Sequence, residues 1–93
     1  MIFKPAAERE YLAAIRRYSD TRPELGIRFE AAVETAISDV EADPLKCSVI
    51  HGMTRERAVN GFPYSVIYRF RAGRLTIVAV YHYSRKPFGW RRR

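Results

Sequence analysis

The residues of this chain best equipped for chemistry lie in its second half. His82 ends a β-branched run, and Arg55, Arg57, Arg69 and Arg85 stand on the segments around it. An imidazole titrates near neutrality and can serve as acid or base. Metal-free cleavage of an RNA phosphodiester needs a base for the 2′-OH proton, an acid for the leaving oxygen, and cations for the phosphate charge. The four arginines can supply the cations, and Tyr64, Tyr81, Tyr83 or Trp90 can stack on unpaired bases. The same residues also have a plainer use. A histidine at a strand end is more often structural than catalytic, and His82 can anchor the segment that follows it by a hydrogen bond.

The charge around these residues is lopsided. Residues 1–45 hold 6 Lys/Arg against 9 Asp/Glu, whereas residues 46–93 hold 11 against 1, with Glu56 the single acid. The halves therefore carry −3 and +10 within a total of +7. A half so cationic points to an anionic companion: nucleic acid, an acidic protein segment or a membrane surface. Arg55, Arg57, Arg69 and Arg85 are expected to form one self-repelling cluster that a partner neutralises. The membrane is the weakest of the three, because the cations fall on strands and not on an amphipathic helix.

Other chemistries lack their residues. There is no glycine-rich phosphate loop and no nucleophile elbow. Cys47, His51 and His82 have no metal-ligand spacing, so neither a metal nor another cofactor is expected. A single cysteine rules out an internal disulfide and suits a reducing compartment. The first residues show no signal-peptide pattern and the longest apolar run is far too short for a membrane span, so the expected location is cytoplasmic.

The elements that must hold these residues can be read from periodicity. Ile2 and Phe3 suit a short strand ended by Pro5. Ala7, Tyr11, Ala14, Ile15 and Tyr18 recur at helical spacing, predicting a helix over residues 6–18, with residues 19–22 as the connection. Pro23 and Glu24 suit the first turn of a second helix. Its stripe of Leu25, Phe29, Ala32, Val33, Ala36, Ile37 and Val40 runs to the stop at Asp43-Pro44. The period then changes to two, with strands predicted over residues 47–51, 55–60, 64–71 and 74–83 and a turn at Ala72-Gly73. Val66, Tyr68 and Phe70 share one face, with Ile67, Arg69 and Arg71 on the other. The Thr-Ile-Val-Ala-Val run reads as a strand buried on both faces. The Phe62-Pro63-Tyr64 segment reads as a strand-opening device. Residues 84–93 read as a basic tail, with Arg91, Arg92 and Arg93 a solvated end.

Helices first and hairpin-linked strands after give one α+β domain over residues 1–93. It has a short N-terminal strand and an antiparallel helical hairpin packed on one face of a three- or four-stranded antiparallel sheet. The uncovered sheet face is expected to be the basic one.

Several segments in order resemble the RelE/ParE superfamily of toxins from bacterial type II toxin–antitoxin systems. They are Pro-Glu-Leu-Gly-Ile-Arg-Phe at 23–29, Phe-Pro-Tyr-x-Val-x-Tyr-Arg at 62–69, and the ending set by His82, Arg85, Pro87, Trp90 and Arg93. The resemblance covers nearly the whole chain and implies the same α+β fold. It also implies a cognate acidic antitoxin that wraps the toxin in a hetero-oligomer; charge and geometry then predict an acidic, amphipathic segment over both the hairpin and the basic sheet. Two targets are implied: ParE-like members poison DNA gyrase without a known catalytic residue, and RelE-like members cut mRNA on the ribosome. The chain keeps the Phe-Pro-Tyr strand and Pro-x-x-Trp ending but lacks denser Lys/Arg/Tyr equipment, which favours the ParE-like side. On that side Arg55, Arg57, Arg69, Arg85, Tyr64 and Trp90 would bind the target. On the other, His82 would be catalytic. A basic sheet face with aromatics also suits a non-catalytic nucleic-acid-binding module.

Overall fold

Two prolines set the helical hairpin. The computed structural model describes residues 1–93, and in it Pro5 and Pro23 each occupy the first helical turn, where a missing N–H costs nothing. Helix α1 spans Pro5–Thr21 and α2 spans Pro23–Ala42. The expected four-residue connection shrinks to Arg22 alone. Pro23 disfavours helical geometry at the residue before it, and Arg22 is extended at φ −155 and ψ 133. One proline therefore both stops α1 and starts α2. The helices approach closely at Gly26, where a Cβ would collide with the Ser19 side chain and lie 3.1 Å from the Ile15 carbonyl oxygen.

The strands are β1 (Ile2–Phe3), β2 (Val49–His51), β3 (Thr54–Ala58), β4 (Tyr64–Arg71) and β5 (Arg74–His82). They form one sheet in the order β1-β5-β4-β3-β2, with the four strands after the hairpin antiparallel, as expected. The short N-terminal strand joins them parallel to β5, with Ile2 opposite Thr76 and Phe3 opposite Ile77. Ala72 and Gly73, at φ 52 and 73, make the two-residue turn that matches the twist of the β4–β5 hairpin.

The hairpin covers one sheet face. Ala7, Tyr11, Ala14, Phe29, Val33 and Val40 from the helices meet Tyr64, Val66, Tyr68, Ile77 and Val80 from the sheet. Phe62 packs at 5.1 Å and 5.2 Å from the Tyr18 and Phe29 ring centroids, locking the start of β4 against the hairpin. A bulge interrupts β5: Ile67 faces Ala79 but Tyr68 faces Ile77, leaving Val78 as the extra residue. Val78 and Ala79 then both serve a second, smaller apolar cluster with Ile67, Tyr81 and Trp90.

That second cluster changes the reading of the C-terminal segment. Residues 84–93 fold back in turns over the far sheet face. Trp90 is 5% exposed, and the Tyr81 hydroxyl donates to the Lys86 carbonyl at 2.6 Å. A lone tryptophan among arginines has no periodicity, so its destination was not visible in the sequence. No helix is long and apolar enough to cross a membrane.

Candidate functional site

A groove of about 450 Å³ opens where α1 passes the start of β4 and the end of β5. Helix α1 lines it with Arg9, Ala13 and Arg17, four residues apart and so on one face, and with Glu10 beside them. The sheet contributes Tyr64, Val80 and His82, followed by Ser84 and Arg85. Tyr64 and His82 are cross-strand partners whose rings meet edge-on at 4.8 Å.

Both potential proton carriers are committed. The Ser84 backbone N–H donates to His82 Nδ1 at 2.9 Å, so the neutral ring carries its proton on Nε2. Accepting a substrate proton at Nδ1, or holding protons on both nitrogens, breaks that bond. The Tyr64 hydroxyl accepts from Arg17 Nη2 at 2.9 Å. Burial pushes its pKa up, against an opposing pull from the Arg17 guanidinium, so the phenol stays protonated at neutral pH. The groove thus gathers cations and one held imidazole, without a free base.

Glu10 closes the groove floor. It accepts from Arg93 Nη1 at 2.7 Å and Nη2 at 2.9 Å, from Arg85 Nη1 at 3.0 Å, and from the Val80 backbone N–H at 3.2 Å. Strand β1 is two residues long, so β5 has no strand partner beyond Ile77 on that side. Glu10 takes the Val80 N–H there, and Arg93 donates to the Val78 carbonyl at 3.2 Å. An ion pair stands where another strand would satisfy the edge. The hydrogen bonds that Arg93 donates to Glu10 raise its pKa, outweighing the effect of burial.

The four sequence-predicted arginines do not form one cluster. Strand alternation places Arg55 and Arg57 on the helix-facing side of β3, opposite Tyr68 and Val66, whereas Arg69 lies on the far face opposite Thr54. Arg57 pairs with Asp39 of α2 at 2.8 Å, and Arg85 pairs with Glu10 of α1. Arg55 donates to the Leu45 and Cys47 carbonyls. Arg69 donates to the main-chain oxygen of Arg93 at 3.4 Å, and its buried Nε has no hydrogen-bond partner. The expectation of one self-repelling cluster of four is therefore corrected: the topology sends them to opposite faces, and helix carboxylates meet two of them.

Of the remaining candidates, Tyr64, His82 and Arg85 come together in the groove, whereas Trp90 packs under the far face. Tyr64, Tyr81 and Trp90 are buried, and Tyr83 is the one ring of the four left open, at 57% exposure. Arg9, Arg17 and Glu10 were missed as site residues. The repeat Arg9, Ala13, Arg17 is a signal that could have found the cationic face of α1, but nothing in the sequence joins Glu10 to Arg93, 83 residues away. No three His, Cys, Asp or Glu side chains gather as metal ligands would.

Comparison with known proteins adds one finding. The model of a family described as the ParE toxin of type II toxin–antitoxin system, parDE, matches residues 1–87. No curated protein matches the chain.

Proposed function

This chain belongs to the ParE toxin family of type II toxin–antitoxin systems, and from that membership we propose that it arrests growth by acting on DNA gyrase in the cytoplasm until a cognate antitoxin neutralises it. The family makes it a toxin with an antitoxin partner, and the target is the step we add. One observation carries the choice of target. His82 cannot accept or relay a proton without losing the Ser84 bond, so the groove is better suited to holding a protein partner than to cutting RNA. The mRNA-cutting alternative draws on Arg9, Arg17 and Arg85 around the same groove, which would suit a phosphate. For the antitoxin, Leu12 on α1 and Ile27 on α2 are 58% and 68% exposed, and give an amphipathic acidic segment apolar anchors on the hairpin.

The test has two stages. Expression from a tight promoter should stop growth, and co-expression of a cognate antitoxin should restore it. Purified protein added to gyrase and supercoiled plasmid should then accumulate cleaved DNA. Fragmented mRNA with gyrase activity intact would overturn the gyrase reading in favour of ribosome-dependent cleavage.

A further inference from the structure

The strongest uncompensated charge lies away from the groove, at the tip of the β4–β5 hairpin. A cleft of about 390 Å³ there is lined by Lys4, Arg69, Arg71, Ala72, Arg74 and Thr76. The register explains it. Arg69 faces Thr76 and Arg71 faces Arg74 across the hairpin, all on the sheet face away from the helices, and Lys4 joins them as the chain leaves β1. No Asp or Glu lines the cleft or pairs with any of these four cations, and the one side-chain contact among them is that of Arg69 with the Arg93 main-chain oxygen at 3.4 Å. Like charges directly opposite each other on a hairpin destabilise it, so Arg71 and Arg74 repel where a bound anion would relieve them. An adjoining cleft of about 220 Å³ shares Arg69 and Arg71 and adds Arg91, extending the cationic track, with His51 and the buried Trp90 also in its lining.

We propose that this cleft seats the phosphate backbone of duplex DNA without regard to sequence. The lining decides among anionic partners. Ala72 is its only apolar residue, so a protein segment would find no core to bury, whereas a phosphate chain needs only charge. No aromatic residue lines the cleft, and single-stranded nucleic acid is held by stacking its bases. The open aromatic Tyr83 lies at the other end of β4, roughly 20 Å away by strand rise, in a cleft shared with Glu56, whose carboxylate repels phosphate, and Phe88 is packed against the His51 and Trp90 rings. A duplex keeps its bases inside and offers phosphates alone. This inference does not depend on gyrase being the target: the toxin could poison gyrase with this cleft empty.

The test is fluorescence anisotropy of the purified chain with a short mixed-sequence duplex. Four phosphate contacts give a slope of log affinity against log salt of about −3.6, a loss on the order of 100-fold between about 50 and 200 mM. The Arg71→Gln/Arg74→Gln double variant should reduce the slope by about 2. It should keep the parent's thermal midpoint or raise it, since a repulsion is removed. Lys4→Gln, on a separate segment, should reduce the slope by about 1. Scrambling the duplex sequence should leave affinity unchanged. Absence of duplex binding at low salt, an unchanged slope in both variants, or tighter binding of a single strand of equal length would each overturn the proposal.

Discussion

Replacing Glu10 with alanine tests how the groove and the C-terminal segment are held. The Glu10 side chain is 11% exposed and serves three donors: two arginines and a backbone amide. Its loss orphans the Val80 N–H, on a residue 1% exposed, which costs about 1–3 kcal/mol. It also strips the charge partner from Arg93. Breaking a fully buried pair costs about 3–5 kcal/mol, but the Arg93 side chain is 23% exposed, so about half that is expected. Arg85, more than half exposed, adds little. The sum is about 2.5–5.5 kcal/mol, a large share of the roughly 5–14 kcal/mol typical of a chain this length. At about 4–8 °C per kcal/mol the thermal midpoint should fall by at least about 10 °C.

Glu10→Gln keeps an acceptor for Val80 and should lose about half as much. Arg93→Ala should cost less than Glu10→Ala, since Arg85 and Val80 still hold the carboxylate. The two replacements should couple by about 1–3 kcal/mol in a double-mutant cycle. Trp90 is the only tryptophan and is buried on the far face, so its emission should shift to the red as the C-terminal segment loosens. A midpoint within about 3 °C of the parent, or strictly additive losses, would refute the claim that this carboxylate stands in for a strand.

Two further outcomes follow from the buried phenols and the held imidazole. Burial raises the pKa of Tyr11, Tyr64 and Tyr68, helped at Tyr11 by the Glu34 carboxylate. The unfolded chain loses these protons from about pH 10 while the folded chain keeps them, so stability should hold below that pH and fall as pH rises above it. Urea midpoints measured across this range check it, and a midpoint that stays level above about pH 11 would contradict it. His82→Ala should leave growth arrest intact, because the ring secures Ser84 rather than moving protons, and loss of arrest with the melting curve preserved would restore a catalytic role.

What the sequence revealed depended on periodicity. The α2 stripe, the stop at Asp43-Pro44 and the alternation along β4 are local patterns, and the structure follows them to within a few residues. Boundaries drifted where one residue acted on two elements, as Pro23 does on α1. The faces of Arg55 and Arg57 relative to Arg69 were implicit in the alternation but needed the β3–β4 register to become visible. Glu10 with Arg93 was not legible, because it joins the two ends of the chain through an edge that exists only once β1 proves to be two residues long. Trp90 was hidden for the related reason that the β5 bulge creates its pocket.

These placements change what the cationic half of the chain requires. A net charge of +10 in residues 46–93 suggests a fold that needs an outside anion to survive. The topology answers much of that demand from within. Asp39 meets Arg57, Glu10 meets Arg85 and Arg93, and loop carbonyls meet Arg55. All of these lie where a helix or its following loop can reach. Both helices cover one sheet face, so the β4–β5 tip on the other face keeps its repulsion. A toxin must remain folded after its antitoxin is gone, and one whose margin arginines are matched by its own helices can do so. The charge left at the tip is then free for a partner other than the antitoxin, since a segment lying on the hairpin would be on the opposite side of the sheet from Arg71 and Arg74.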